Sequence, residues 1–166
     1  MTTPKPDFVA ILQTLTTQGV DFIVVGGISG VLQGASFSTF DLDLVHSRKP
    51  ENIGRLLAAL DILQARYRTP GAEHLRPARS HLASEGHQLL MTRSGPLDLL
   101  GVIGSGHDYD DLLHKTIELA ISGGVKVRVL ELATLIDVKE ETARDKDKAV
   151  LAILRTTLEE KKKSGK

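Results

Sequence analysis

Apolar positions along the chain fall into two spacings, one helical and one extended. After Asp7, apolar residues recur at Phe8, Ile11, Leu12 and Leu15. That three-and-four spacing predicts an amphipathic helix capped by Asp7 and ended near Gly19. The run 20–25, apolar apart from Asp21, predicts a buried strand, broken by Gly26 and Gly27. A short helix over 28–34 and a second strand over 40–46 follow. Pro50 stands at the start of a stripe made by Ile53, Leu56, Leu57, Leu60 and Leu63, which predicts a longer helix. Periodicity then disappears over 66–80, where Pro70, Gly71 and Pro77 predict a loop. Runs 87–92 and 96–102 read as strands joined by a tight hairpin at Ser94-Gly95. Gly101 to Gly106 is a turn-rich break, and 108–114 a short helix. A second hairpin, 117–121 with 125–129, turns at Gly123-Gly124, and helices cover 132–143 and 146–158. The charged stretch 159–166 is expected to fray. Strands that stand singly between helices, together with hairpins, predict an α/β (α+β) fold: a mixed sheet flanked by helices.

Composition narrows this picture only in places. A chain of 166 residues with 41% hydrophobic content can bury one core. Aromatic residues make up 4% and tryptophan is absent, so Leu, Val, Ile and Ala must build that core. The absence of cysteine excludes disulfides and thiolate metal sites, and fits a cytoplasmic protein. Residues 1–6 contain no apolar signal region, and no apolar stretch approaches the ~20 residues that span a bilayer. Basic and acidic residues balance at 21 each, which argues against general coating of nucleic acid.

The second strand carries the most unusual chemistry. Asp41 and Asp43 are separated by one residue among apolar neighbours. On a strand they share a face, with Cα atoms roughly 6.5–7 Å apart. Two carboxylates side by side oppose each other's ionisation, so the pair gains little structurally. It gains much by binding a hard cation such as Mg²⁺, which takes oxygen ligands. Upstream, Gly26 and Gly27 would let the backbone approach a phosphate, with Ser29 adding a hydroxyl. The alternative is an ordinary turn after a strand. The run is not a dinucleotide fingerprint, since Val25 stands where a glycine would be needed. Arg66, Arg68, Arg76 and Arg79 face one acid, Glu73, within the expected loop. They form either a local positive surface or a solvated loop. His74, His81 and His87 lack metal-ligand spacing on a helix.

An apolar residue with two glycines, a spacer, and Asp-x-Asp on a strand resembles the nucleotidyltransferase superfamily of DNA polymerase beta. Here Val25-Gly26-Gly27 opens the pattern and Asp41-Leu42-Asp43 closes it. Gly34 and Thr39 early, with Lys139, Arg144, Lys146 and Asp147 late, are similar to the small bacterial AbiEii-like group found in toxin–antitoxin systems. One departure is Phe37, where that group often has arginine. The resemblance implies a nucleotidyltransferase core over 1–130, a helical segment over 131–160 and a disordered tail over 161–166. It implies Asp98 as third acid on a neighbouring strand, completing a two-ion Mg²⁺ or Mn²⁺ site with Asp41 and Asp43. Lys139 and Arg144, expected on a late helix, would contact the nucleotide, unless nearby acids simply pair with them. The implied reaction moves a nucleoside monophosphate from an NTP to a hydroxyl of an RNA, a protein or a small molecule. A cognate antitoxin would be the implied partner. Two alternatives stay open: a non-catalytic binding protein of the same fold, and a glycosyltransferase using its Asp-x-Asp.

Overall fold

The computed structural model describes residues 6–39 and 41–165. Helix α1 (Phe8–Thr17) begins where Asp7 accepts a hydrogen bond from the Ala10 amide at 3.0 Å. It buries Ile11, Leu12 and Leu15, the stripe read from the sequence. Strand β1 (Phe22–Val25) is buried along its whole length. Helix α2 (Gly26–Leu32) starts directly at the glycine pair, two residues earlier than the spacing suggested. Strand β2 (Leu42–His46) begins just after Asp41, and Phe40 lies outside the described residues. Helix α3 (Pro50–Ile62) has Pro50 in its first turn, where a missing N–H costs nothing.

The stretch expected to be a loop is partly ordered. Strand β3 (Arg66–Tyr67) pairs antiparallel with β4 (His87–Thr92), and α4 (Arg79–Ala83) begins before the loop was expected to end. Tyr67 gives the physical reason. Its hydroxyl donates to Gln88 at 2.7 Å, so tertiary pairing orders a segment without periodicity of its own. The first hairpin joins β4 to β5 (Gly95–Leu100), with its turn at Arg93-Ser94, one residue earlier than expected. Helix α5 (Tyr109–Leu112) precedes the second hairpin, β6 (Thr116–Ile121) with β7 (Val125–Leu130). Helix α6 (Leu132–Glu141) stops two residues before the predicted end. Helix α7 (Lys148–Lys163) carries on through five residues that the charge pattern predicted would fray. Leu151, Leu154 and Thr157 bury its apolar face, which holds the helix in place.

The seven strands form one mixed sheet in the order β3-β4-β5-β2-β1-β7-β6. The β2–β5 and β1–β7 pairs are parallel and the others antiparallel. On one face α1 and α3 pack against Val24, Leu44, Leu97, Leu99 and Val129. On the other, α6 and α7 pack against Ile23, Val25, Val45, Leu100 and Leu130. That second cover stops short of the β5–β4–β3 side, where Leu89 and Met91 are each 40% exposed. No helix among the described residues is long and apolar enough to cross a membrane.

Candidate functional site

Register brings two of the expected acids together. Asp43 of β2 pairs directly with Asp98 of β5, and Asp98 in turn with Leu89 of β4. On the other side Asp43 pairs with Val25 of β1. Direct partners share a face, so Val25, Asp43, Asp98 and Leu89 make one row across the sheet. The row runs from under the helices to the uncovered side. Asp41 stands exposed immediately before β2, close enough to Asp43 to act on its charge.

The charge is concentrated. Burial, then the neighbouring Asp98 carboxylate, then Asp41, push the Asp43 carboxyl from 3.8 up to about 7, against a smaller opposing pull from Lys139. Asp98 is buried, and its Oδ1 accepts no aligned hydrogen bond among the described residues. Arg68 Nη1 lies 2.7 Å from that oxygen, but its N–H is aligned on the Leu90 carbonyl at 2.6 Å. The contact is therefore an ion pair in which the guanidinium is anchored elsewhere. It is also the one ion pair that any of the three acids makes among the described residues.

Gly26 has a role that sequence reading missed. Its φ is +68°, a conformation that side chains disfavour, and a Cβ there would stand 2.4 Å from Asp43 Oδ2. The missing side chain makes room for the carboxylate itself. Gly27 likewise makes room for Thr39 and Phe37, since a Cβ would lie 2.9 Å from Thr39 Oγ1. Phe37 thus serves as packing against the glycine turn. A positive φ beside an acid on the neighbouring strand leaves no mark in a single sequence beyond the glycine.

Lys139 joins the site. A cleft of about 160 Å³ is lined by Gly26, Asp43, Leu100, Gly104, Val138 and Lys139, among others. Lys139 Nζ also lies 3.9 Å from Asp147. Arg144 is not brought in. It lies beyond the end of α6 rather than on a helix, where its amide donates to Asp147 at 2.9 Å. Ser29 is fully buried, and its hydroxyl donates to the Leu130 carbonyl at 2.8 Å, tying α2 to β7. The arginines of the 66–79 stretch are largely engaged: Arg76 pairs with Asp61 at 2.8 Å and Arg79 donates to the Pro50 carbonyl.

The donor chemistry fits a hard divalent cation, because all three acids offer carboxylate oxygens and Asp43 carries an unfavourable charge. Their placement is incomplete. Among the described residues, no three His, Cys, Asp or Glu side chains are arranged to hold a metal ion together.

No protein-family model matches the chain, and no curated protein does. Solved structures do. A Thermotoga maritima protein, whose assignment as a nucleotidyltransferase is itself provisional, has 18% identity and a TM-score of 0.57 over 92% of this chain and 91% of its own. The antibiotic-resistance factor ANT(2″)-Ia, solved with adenylyl-2″-tobramycin, has 16% identity and a TM-score of 0.59 over 91% of this chain and 87% of its own. Its solution structure aligns with a TM-score of 0.58 at 17% identity, over 91% of this chain and 82% of its own. At such identities the likeness is one of fold. The chain has the nucleotidyltransferase fold, as its glycine and Asp-x-Asp pattern led us to expect.

Proposed function

We propose that the chain is a divalent-metal-dependent nucleotidyltransferase that moves a nucleoside monophosphate from an NTP to an acceptor hydroxyl. One observation carries the reading. Asp43 and Asp98 stand in register on parallel strands, and Asp43 opens onto a cleft shared with Gly26 and Lys139. Asp41, Asp43 and Asp98 would hold Mg²⁺ or Mn²⁺. When bound, two such ions polarise the phosphate under attack and screen the charge on the departing pyrophosphate. The Gly26-Gly27 turn and Lys139 Nζ would receive phosphate oxygens, Lys139 as a point charge. A carboxylate oxygen of Asp98 would take the proton from the acceptor hydroxyl as its oxygen bonds to the α-phosphorus. The bond from that phosphorus to the bridging oxygen breaks, and pyrophosphate leaves. Ser29 is left out of the proposed contacts because its hydroxyl is engaged by Leu130, and Arg144 because it does not line the cleft.

ANT(2″)-Ia is described with an adenylylated aminoglycoside, which supports a small hydroxyl-bearing molecule as one acceptor to test. RNA and protein acceptors, a cytoplasmic toxin–antitoxin role and an antitoxin partner rest on the resemblance of the motifs. The decisive experiment incubates the protein with each α-labelled NTP, Mg²⁺ or Mn²⁺, and pools of RNA, proteins and hydroxylated small molecules. Label transfer that disappears in Asp43→Asn and Asp98→Asn supports the reading. No transfer from any NTP, or transfer that survives both changes, overturns it. The second reading, a non-catalytic binding protein, is favoured by one observation: Asp98 is already paired with Arg68. Nucleotide binding without transfer would select it.

A further inference from the structure

The third acid is engaged by a side chain of the same protein. Asp98 points one oxygen at Arg68 Nη1, 2.7 Å away, and that oxygen is buried. The guanidinium cannot drift off easily, because the same nitrogen donates to the Leu90 carbonyl at 2.6 Å. Arg68 follows directly on β3, whose pairing with β4 fixes where the side chain begins. Its amide also donates to the Leu89 carbonyl at 3.0 Å. The guanidinium therefore sits as a fixed positive charge against the carboxylate row. Meanwhile the three acids are not gathered into a set that holds a metal ion.

We propose that Arg68 is a positioning residue that holds Asp98 in a cation-free arrangement, and that a divalent cation must displace this guanidinium to gather all three acids. This rests on the nucleotidyltransferase reading of the site. A cation and a guanidinium compete for the same carboxylate, since each needs its negative charge and they repel one another. Cation entry and completion of the site then become a single event. Arg66 serves as a control. It lies on β3 itself, two residues earlier, yet makes no ion pair among the described residues.

The test measures Mn²⁺ binding to the full chain by the electron paramagnetic resonance signal of free Mn²⁺, at pH 8.0, without nucleotide. Asp43→Asn should weaken binding at least tenfold, and indifference there would remove the metal reading itself. Arg68→Ala should tighten binding about tenfold. Arg68→Gln should do the same while keeping an N–H donor for the Leu90 carbonyl, so a folding failure of the alanine variant does not decide the matter. In an Asp98→Asn background the Arg68 change should have no effect, because the competition runs through that carboxylate. Arg66→Ala should shift affinity less than twofold. Unchanged or weaker binding in the Arg68 variants would overturn the proposal. So would equal tightening in Arg66→Ala or in the Asp98→Asn background, since that would reflect general charge alone.

Discussion

Replacing Asp43 by asparagine should stabilise the cation-free protein, and only at high enough pH. The folded protein raises this carboxyl from 3.8 to about 7, chiefly by burial and by Asp98. A group whose value is raised on folding favours the folded state while it is protonated. Its contribution is complete below the unfolded value near 3.8 and is lost as pH rises toward 7. Each pH unit of such a shift corresponds to ~1.4 kcal/mol, so roughly three units give about 4 kcal/mol. Solvent still reaches part of the carboxyl and weakens its interactions, which brings the expected figure to about 2–4 kcal/mol. Asparagine keeps the shape and has no charge to lose. Urea unfolding in EDTA at pH 4, 5.5, 7 and 8.5 should show the variant level with the wild type at pH 4. It should pull ahead by about 2–4 kcal/mol at pH 8.5. Mg²⁺ at about a hundredfold its dissociation constant should largely offset that lead, because it stabilises the wild type by about 2.7 kcal/mol. A difference that stays flat with pH would refute the electrostatic account of the row.

Gly26→Ala should destabilise the chain by about 1–3 kcal/mol in chemical unfolding, since alanine must adopt a φ of +68° and place its Cβ against Asp43; a neutral effect would mean that the turn readily rearranges. Lys139→Ala should lower nucleotide affinity or turnover more than tenfold, beyond ~1.4 kcal/mol. Lys148→Ala, whose amine pairs with exposed Asp145, should change either by less than twofold, as isothermal titration and turnover assays can compare. The His46 ring should stay neutral in an NMR titration at pH values just below 6.5. Burial lowers its value below 6.5, and its stabilising contribution is lost only as pH falls further.

Much of this was legible in the residues. The Phe8 to Leu15 stripe, the Pro50 helix and both hairpins follow from period and punctuation, and all are present. Asp43 was legible because an acid between Leu42 and Leu44 on a strand demands a reason. Pairing was less accessible. Nothing local to Asp98 says that it faces Asp43, because parallel register is fixed by the packing of distant segments. Arg68 was visible only as one of several arginines in an aperiodic stretch, and the carboxylate it meets is set by a strand of two residues. Ser29 misled for a related reason: a hydroxyl after a glycine turn can face a ligand or a strand end, and here it meets Leu130. The length of α7 was underestimated because charge suggested fraying, whereas Leu151 and Leu154 anchor the helix.

The parallel pairing of β2 with β5 also bears on how fast the chain reaches its fold. The two hairpins join neighbours in sequence and can close early, within microseconds. The β2–β5 pairing must wait until α3, β3, α4 and the first hairpin have been threaded between its partners. Non-local pairings of this kind set the pace of folding. Asp43 and Asp98 meet only at that step, so their repulsion bears on a late, non-local closure rather than on the early hairpins. Alkaline, cation-free solution should therefore delay assembly of the sheet, and a cation that bridges the two acids would act as a catalyst of its own binding site's formation.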